Sequence, residues 1–455
     1  MTCNRCVDIV VGGSCGSEGK GGLISRIAGQ YSAMCRSSAS SAAHTIVYNG
    51  KPYTFHMIPC GSLQNDSAQL IITAATQIDM EHLKKEIGWL KELNKWLLPN
   101  GKPRLTIDSN ATIVESIDCI AENGGRMPDC GDLYFHPRDC EIHNQQLNGT
   151  CMGCSKLPPD SAWGSLGSTT HGGGANLIRK AARNTKMAIL AGQPLDLAKY
   201  FRSKLPEGVD HDKLQEYILD TVNNGPITDW SSAIDIAPIQ SAKDNEFTKQ
   251  FVGDTVSILN RLIDKNETIL LEGTQGSMLS VHFGPWPKCT SRDTNASNWA
   301  MEAGISPLAI RDIYCVFRTF PIRVAGNSGP MPGEEITWEE VTKFAGSKEP
   351  IKEVTSATKR LRRVSVLGEE HVRRALDLNR PTKLMLSFVD YLSHEDRNKS
   401  SWDSLTQKTR DWITILESKM GIFFNYLSTG PAPEHMIIRK TPGELIGQIQ
   451  GRGTN

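Results

Sequence analysis

The sequence lacks long hydrophobic runs and any excess of charge. No stretch of the 455 residues approaches the roughly 20 consecutive apolar residues that a membrane-spanning helix needs. The 50 Lys and Arg residues balance 50 Asp and Glu residues, which argues against nucleic acid or an anionic membrane as the main partner. Residues 1–5 lead directly into a β-branched run. We therefore expect a cytoplasmic protein without a signal peptide.

Internal repeats, low-complexity tracts and a small-domain disulfide framework are also missing. The 12 cysteines are scattered over a long chain, so we expect reduced thiols. Residues 121–161 are rich in Gly, Pro, Asn, Asp and Cys, and they predict an insertion within a single domain of residues 1–455. Cys151 and Cys154 have the spacing of half a zinc site, which Cys130, Cys140, His136 or His143 would have to complete. A reduced surface loop is the favoured alternative to this structural Zn²⁺.

Residues 7–22 are the stretch around which the chain is organised. A β-branched run predicts a buried parallel strand, and a glycine-rich turn and a helix follow it. Backbone N–H groups of such a turn, the helix N-terminus and Lys20 together form a phosphate cradle. The stretch differs from the ordinary P-loop, because Gly21 stands where a Ser or Thr would hold Mg²⁺. A plain glycine turn is the alternative.

The rest of the chain alternates predicted strands and helices. Residues 44–55 predict a hairpin, because Asn-Gly in the middle suits a tight primed turn. Helices are predicted over 80–97 and 247–262, and a last strand over 423–427. This alternation predicts an α/β fold with a large, mostly parallel central sheet and helices on both faces.

Seven loops, in this order, resemble motifs of the adenylosuccinate synthetase family. The family loops GDEGKGK, NNAGHT and GSTG are similar to GSEGKGG at 16–22, SSAAHT at 40–45 and GSTT at 167–170. The family motifs FEGAQG, YPxVTSSNT, TTGRxRR and STGP are similar to LEGTQG at 271–276, WPKCTSRDT at 286–294, ATKRLRR at 357–363 and STGP at 428–431. The resemblance covers nearly the whole chain except the Cys-rich stretch, and it implies the family's P-loop-related fold.

The resemblance implies a two-step amination of a purine. A triphosphate phosphorylates O6 of a purine monophosphate, and the amine of L-aspartate then displaces that phosphate, so the chain would be a C–N ligase. Catalysis of such a transfer rests on positioning and on neutralising charge. The implied catalytic residues are Ser17, Lys20, His44 and Gln275, with His44 as the general acid at the transferring phosphoryl group. A histidine that caps a turn is the alternative for His44.

The resemblance also implies binding residues and partners. The implied dimer is a homodimer in which Arg183 reaches the neighbouring subunit, and the implied Mg²⁺ lies near Ser17 and the Ala43 backbone. The implied triphosphate-binding residues are Gly16, Glu18, Gly19, Lys20, Gly21, Lys383, Met385, Ser428, Gly430 and Pro431. The implied acceptor-binding residues are Ser17, Ser41, Thr169, Arg183, Gln275 and Thr290. The implied aspartate-binding residues are Thr355, Thr358, Arg360 and Arg362, for which guanidinium forks suit carboxylates.

The sequence departs from the family at position 17. The family's loop aspartate acts as the base at purine N1 and binds Mg²⁺, whereas this chain has Ser17. A serine is smaller, uncharged and able to accept a hydrogen bond from the C2 amine of guanine. This change is typical of the phage-type 2-aminodeoxyadenylosuccinate synthetases, which aminate dGMP for diaminopurine DNA. We therefore expect dGMP, L-aspartate and a purine triphosphate as substrates.

A second departure concerns the phosphate donor. The family motif KLD uses its aspartate to pair with the guanine of GTP, and the triplet here is Lys383-Leu384-Met385. A thioether cannot accept those hydrogen bonds, and it suits packing on adenine. This predicts ATP or dATP as the donor, although Met385 also suits an ordinary core position. The alternatives are an ordinary synthetase acting on IMP with GTP, an inactive nucleotide-binding paralogue and, less suited, a P-loop GTPase.

Overall fold

The computed structural model describes residues 3–114, 173–181, 246–355 and 360–440. The helices in these ranges are α1 Lys20–Ile27, α2 Met80–Glu92, α3 Gly173–Ala181, α4 Thr255–Asp264, α5 Ala296–Glu302, α6 Trp338–Ala345, α7 Glu369–Asn379 and α8 Gln407–Met420. The strands are β1 Val7–Gly12, β2 Ala33–Arg36, β3 His44–Tyr48, β4 Lys51–Phe55, β5 Gln69–Ile72, β6 Gln77–Ile78, β7 Leu105–Asp108, β8 Thr112–Ile113, β9 Val252–Gly253, β10 Ile269–Glu272, β11 Ile310–Arg318, β12 Ile322–Arg323, β13 Glu335–Ile336, β14 Arg363–Ser365, β15 Lys383–Ser387, β16 Tyr426–Ser428 and β17 Met436–Ile438.

A ten-stranded sheet forms the centre of the described structure. Its order is β17-β16-β15-β11-β1-β10-β2-β5-β7-β9, and all neighbours are parallel except the edge pair β16 and β17. Every residue of β1 is buried, which explains why all of them except Asp8 are apolar or glycine. The carboxyl ends of the central strands therefore meet along one edge of the sheet, which confirms the predicted fold class.

Helices cover both faces of this sheet. Alternate residues of β1 face opposite sides, so Val7 and Ile9 join one apolar cluster and Val10 joins the other. The first cluster packs against α4, α5, α6, α7 and α8, for example through Trp299 of α5. The second cluster packs against α1 and α2, for example through Leu23. Burial of these apolar side chains is the main stabilising contribution to the fold.

The predicted hairpin is confirmed as β3 and β4. Asn49 and Gly50 have φ angles of 49° and 74°, which are the left-handed values that a tight primed turn requires. Antiparallel pairing then runs from Tyr48 opposite Lys51 to His44 opposite Phe55. The hairpin thus places His44 at the end of the pair that is far from the turn.

Three predicted elements differ from the structure. The helix predicted over 80–97 ends at Glu92, because Asn94 adopts a left-handed φ of 54°. The helix predicted over 247–262 is interrupted, because Val252–Gly253 pair with β7 and Asp254 caps α4 through the Ser257 amide. The strand predicted over 423–427 is Tyr426–Ser428, and it is followed by the antiparallel β17.

Two predictions on organisation stay predictions. The Cys-rich insertion over 121–161 lies outside the described residues, and the single domain of residues 1–455 is untested. Cysteines in the described ranges are free, as expected for reduced thiols: Cys3, Cys6, Cys15, Cys35, Cys60, Cys289 and Cys315. Within those ranges, no helix has both the length and the apolar character that crossing a membrane would demand.

Candidate active site

The loops that carry most of the expected site residues leave the carboxyl ends of neighbouring strands. The glycine-rich loop follows β1, residues 273–276 follow β10, and residues 37–43 follow β2. Arg318 and Ser387 end the adjacent strands β11 and β15. In open α/β sheets, ligands bind outside this edge, where parallel strands end.

The glycine-rich loop is organised around the carboxylate of Glu18. Its Oε1 accepts hydrogen bonds from the amides of Ser14 and Gly16 at 3.1 and 2.6 Å, and its Oε2 lies 2.8 Å from Lys20 Nζ. A side chain at Gly12 would place its Cβ 2.5 Å from Glu18 Oε2, so only glycine fits there. The carboxylate of Glu18 is thus occupied in shaping the loop, and the triphosphate contact that the family resemblance implies for this residue stays a prediction.

Lys20 is the positive charge of this loop. It begins α1 and is only 2 % exposed, with Nζ bonded to Glu18 and to the Gln275 carbonyl. An ammonium has three N–H donors, so the described contacts leave one of them for a ligand oxygen. Gly19, with φ 83°, brings the chain into α1 beside Lys20. The strand, glycine turn and helix that the sequence predicts here are therefore present, and phosphate binding by this loop stays a prediction.

Ser17 lies at the exposed tip of the glycine-rich loop. Its φ of 57° is left-handed, and its carbonyl accepts a 2.9 Å hydrogen bond from Arg318 Nη1. Arg318 is fully buried, stacks 3.9 Å from the centre of the Phe388 ring, and pairs with Glu353. Arg318 thus holds the backbone of Ser17 from behind. Arg318 is not among the site residues that the motifs predict. The only feature of the sequence that points to it is a charged residue at the end of an apolar strand.

His44 lies in a buried group of charged residues. Its Nδ1 is 2.5 Å from Glu272 Oε1, and Arg36 pairs with the same carboxylate. Burial, followed by the charges of Arg36 and Lys20, lowers the pKa of His44 well below its ordinary range. The imidazole is therefore neutral at neutral pH before ligands bind. The general-acid role stays a prediction, and it requires a ligand that promotes protonation.

Buried His44, Cys60 and Glu272 are close enough together to hold a metal ion. However, the guanidinium of Arg36 already neutralises Glu272, and the Cys60 amide donates to Glu272 Oε2 at 2.8 Å. Burial raises the pKa of the Cys60 thiol to about 12, so it is not a ready thiolate ligand. We therefore assign no metal to this cluster.

Gln275 and Arg292 each have a buried polar atom without a hydrogen-bond partner in the described structure. Gln275 has a left-handed φ of 60°, and its buried Oε1 forms no hydrogen bond. Arg292 Nη1 is also buried without a partner, while Nη2 lies 2.5 Å from Glu302 Oε2 and 3.1 Å from Ser37 Oγ. The motifs do not predict Arg292 as a site residue, although it stands where the family motif has a serine. Thr290, two residues before Arg292, is half-buried. Ser41 lies in the loop after β2.

The expected aspartate loop is closed at its base. Thr355 donates its amide to the Arg360 carbonyl at 2.9 Å and accepts from the Arg360 amide at 3.0 Å. The Arg362 amide bonds to the Glu353 carbonyl, and burial lowers the pKa of the Arg362 guanidinium. Arg360 is exposed. The described backbone therefore places Arg360 and Arg362 in one closed turn, and their binding of aspartate stays a prediction.

The expected donor residues are divided between the core and the sheet edge. Met385 lies inside β15, is 1 % exposed and packs in the apolar cluster that contains Val10, so the structure supports its core role, and the donor contact stays a prediction. Lys383 begins the same strand. Asp390 follows this strand in a short helix, Val389–Tyr391, and burial raises the pKa of its carboxyl to about 6. Ser428 Oγ bonds to the Gly430 carbonyl at 3.0 Å in the turn before Pro431.

Several expected site residues lie outside the described ranges: Thr169, Arg183, Thr358, Cys130, Cys140, Cys151 and Cys154. Their roles, including the zinc site, stay predictions. For Mg²⁺, the Ser17 hydroxyl and the Ala43 carbonyl are oxygen donors of the kind that this ion accepts. Glu18 is occupied within the glycine-rich loop, so Mg²⁺ would be held largely by the phosphates it accompanies.

The adenylosuccinate synthetase family model matches residues 9–123 and 159–399. The chain therefore belongs to the adenylosuccinate synthetase family and is a C–N ligase that uses L-aspartate and a nucleotide. Enzymes of this family generally depend on Mg²⁺.

Sequence relatives and solved structures agree with this assignment. The adenylosuccinate synthetase of Methanocaldococcus jannaschii is 28% identical over 434 residues, which cover 95% of both chains. That of Thermococcus sibiricus is 26% identical over 432 residues, covering 94% of this chain and 97% of the relative. The fully ligated adenylosuccinate synthetase of Plasmodium falciparum has a similar fold, with a TM-score of 0.71, 20% identity and coverage of 96% and 100%.

A second solved structure has the same fold. The succinoaminodeoxyadenylate synthetase of cyanophage S-2L, bound to dGMP and to dATP as an energy donor, gives a TM-score of 0.62 at 20% identity. The similarity covers 98% of this chain and 99% of the cyanophage chain. At this identity the likeness establishes the shared fold.

Proposed function

We propose that this protein condenses dGMP with L-aspartate, at the expense of ATP or dATP, to give N6-succino-2-amino-2′-deoxyadenylate for diaminopurine DNA. The observation that carries the proposal is Ser17, an exposed, uncharged side chain at the tip of the glycine-rich loop. A hydroxyl at this place accepts a hydrogen bond from the C2 amine of guanine, which hypoxanthine lacks. The protein would then be of the phage type within its family.

The remaining residues supply positioning and charge. Lys20 and the loop amides hold phosphate oxygens, and His44 donates a hydrogen bond to the transferring phosphoryl group once it is protonated. Arg360 and Arg362 bind the two carboxylates of aspartate, so that its amine is directed at C6. Mg²⁺ supplies further charge neutralisation for the phosphates when it is bound. The presence of all these groups argues against an inactive paralogue.

The comparisons support two different acceptors. The cyanophage S-2L protein was solved with dGMP and dATP, which is the substrate pair proposed here. The sequence relatives from Methanocaldococcus jannaschii and Thermococcus sibiricus are adenylosuccinate synthetases. The second candidate is therefore an ordinary synthetase that acts on IMP with GTP.

Further parts of the proposal follow from the family resemblance. A homodimer would bring Arg183 of one subunit to the acceptor phosphate of the other. A cytoplasmic location, in the host if the chain is phage-encoded, would give access to nucleotides and aspartate. A structural Zn²⁺ in the Cys-rich stretch is testable by metal analysis, since less than one zinc per chain removes it. Nucleic acid and membranes are not expected partners.

The experiment is a complete matrix of substrates. Purified protein, Mg²⁺ and L-aspartate are mixed with dGMP, GMP or IMP and with ATP, dATP or GTP, and phosphate release and the succinylated product are measured. We expect turnover with dGMP and an adenine triphosphate. Turnover restricted to IMP with GTP would overturn the proposal, whereas turnover of dGMP with GTP would retain the proposed acceptor and overturn the proposed donor.

A further inference from the structure

We propose that Arg292 binds the 5′-phosphate of the acceptor nucleotide through Nη1, a guanidinium nitrogen that has no partner among the described residues. The proposal rests on the proposed function, because it takes a purine monophosphate as the acceptor. It holds equally for dGMP, GMP and IMP, which carry the same phosphate. The family resemblance does not supply this contact, because the family motif has a serine at this position.

The side chain of Arg292 is buried and is held through one of its two terminal nitrogens. It is 8 % exposed, and Nη2 lies 2.5 Å from Glu302 Oε2 and 3.1 Å from Ser37 Oγ. Nη2 also donates to the Ala75 carbonyl at 3.3 Å, and the guanidinium lies 5.4 Å from the centre of the Trp299 ring. Nη1 carries two N–H donors. Because an unpaired donor of a buried charged group costs free energy, a ligand oxygen that pairs with Nη1 gains affinity.

These contacts place Arg292 beside segments that are expected to bind the acceptor. Ser37 follows β2 and Ala75 follows β5, so the guanidinium lies at the carboxyl ends of these strands. The loop after β2 also carries Ser41, an expected acceptor contact. Thr290, another expected acceptor contact, precedes Arg292 by two residues. The guanidinium therefore joins two loops of the expected acceptor site.

A helix that follows a third acceptor segment in the sequence packs at the same edge. The segment, residues 167–170, lies outside the described residues, and α3 begins three residues later. Lys180 of α3 donates to the carbonyls of Ala74 and Asn110, at 2.7 and 2.5 Å, in the loops after β5 and β7. The carboxyl ends of β2, β5 and β7 are therefore where we expect the acceptor phosphate.

The other two substrates are expected on the opposite side of β1. In the sheet, β10, β2 and β5 lie on one side of β1, and β11, β15 and β16 lie on the other. The expected donor residues Lys383 and Ser428 belong to β15 and β16. Arg318 of β11 pairs with Glu353 at the base of the aspartate loop. The acceptor phosphate is therefore the substrate anion expected beside Arg292, and a guanidinium suits a phosphate.

The test removes the arginine with and without its carboxylate partner. Arg292→Gln is combined with Glu302→Gln, so that no unpaired carboxylate stays buried. We expect the Kd for the acceptor monophosphate, measured by calorimetry without donor, to be about 10- to 100-fold higher in the double variant than in Glu302→Gln alone. Glu302→Gln keeps Arg292 and should stay within about threefold of the wild type. The KM values for aspartate and the donor should change by less than about threefold.

Phosphorus-31 NMR of the bound monophosphate gives a readout that a purely structural pair would not change. A phosphate monoester has a second pKa of about 6, and a guanidinium in contact with it favours the dianion and lowers that pKa. The pKa of the bound phosphate should therefore be about one unit higher in the double variant than in Glu302→Gln. The experiments use whichever monophosphate the wild type turns over, so a failure of dGMP selectivity does not affect them.

The matched control is the pair of Arg439 and Glu417, which is 2.7 Å apart and similarly buried. It lies at the amino end of the sheet, where the Arg439 amide donates to the Asn425 carbonyl just before β16. Arg439→Gln with Glu417→Gln should leave the Kd for the acceptor unchanged. A Kd that is equal in Glu302→Gln and the double variant, an equal rise in the control, or an unchanged phosphate pKa would overturn the proposal.

Discussion

The two ends of the central sheet differ in how completely their buried polar atoms are paired. At the amino end, Asp8 of β1 accepts a 2.7 Å hydrogen bond from the Tyr31 hydroxyl and two from Arg311, at 2.9 and 2.6 Å. The Asp312 amide donates to the same carboxylate at 3.2 Å. At the carboxyl end, by contrast, several buried polar atoms have no partner in the described structure, and they belong to Ser14, Gln275, Arg292 and Arg318.

The comparison separates residues that stabilise the fold from residues that await a ligand. Buried polar groups are almost always hydrogen-bonded in native proteins, so unpaired ones are informative. Asp8 has its acceptors filled by protein groups, which suits a structural role. The unpaired atoms at the carboxyl end coincide with the loops that carry Lys20 and His44. The substitutions below test whether the two ends of the sheet differ in this way.

The largest effect is expected at the carboxyl end from Lys20→Met. Removal of the buried ammonium takes away charge stabilisation of the phosphoryl group, and kcat should fall by about 10²–10³-fold. Steady-state kinetics measures it. Lys249→Met, which breaks an exposed pair with Glu246, is the matched control and should retain activity. A Lys20→Met enzyme with near-normal kcat would remove the cradle from the mechanism.

At the amino end, Asp8→Asn should affect stability and leave catalysis intact. The amide cannot accept from Tyr31 and Arg311 together with the charge strength of a carboxylate, so the free energy of unfolding should fall by about 2 kcal/mol. Chemical denaturation measures this, and kcat should change by less than about twofold. A drop in kcat at full occupancy of the folded state would contradict the division between the two ends.

Arg318→Lys should have a smaller effect, on substrate positioning. The lysine keeps the charge but loses the fork that joins the Ser17 carbonyl to Glu353, which leads into the aspartate loop. We expect kcat/KM for the acceptor and for aspartate to fall together, by about tenfold. Kinetics with each substrate varied in turn measures this, and a loss confined to one substrate would contradict the coupling.

The smallest effect concerns the pH dependence of stability. Burial raises the pKa of Asp390 from 3.8 to about 6, so between these values the folded state binds more protons than the unfolded state. Stability therefore declines as pH rises from about 4 to about 6, by at most about 1.4 kcal/mol for each pH unit. Asp390→Asn should flatten that decline in urea unfolding curves. An unchanged slope would show that Asp390 is not the titrating group.

The sequence predicts those structural features that depend on residues close together in the chain. Asn49 and Gly50 specify their turn, and the glycines around Lys20 specify the cradle, since each acts within a few residues. The pairing of Arg36 with Glu272 depends instead on the register of strands 236 residues apart in the chain, which no local pattern encodes. The burial of Met385 also depends on tertiary packing, because its place inside β15 puts it in the core, and the donor contact that the motif implies stays a prediction.

The role proposed for Ser17 is to select an acceptor purine that carries a C2 amine. The most direct test is the ratio of kcat/KM for dGMP to that for IMP, compared between wild type and Ser17→Asp. Aspartate tolerates the left-handed backbone at this position, so the substitution changes chemistry without new strain. Ser17→Ala, which removes only the hydroxyl, should lower the ratio by about 5- to 10-fold. We predict that Ser17→Asp lowers it by about 100-fold or more, whereas an unchanged ratio would contradict the account.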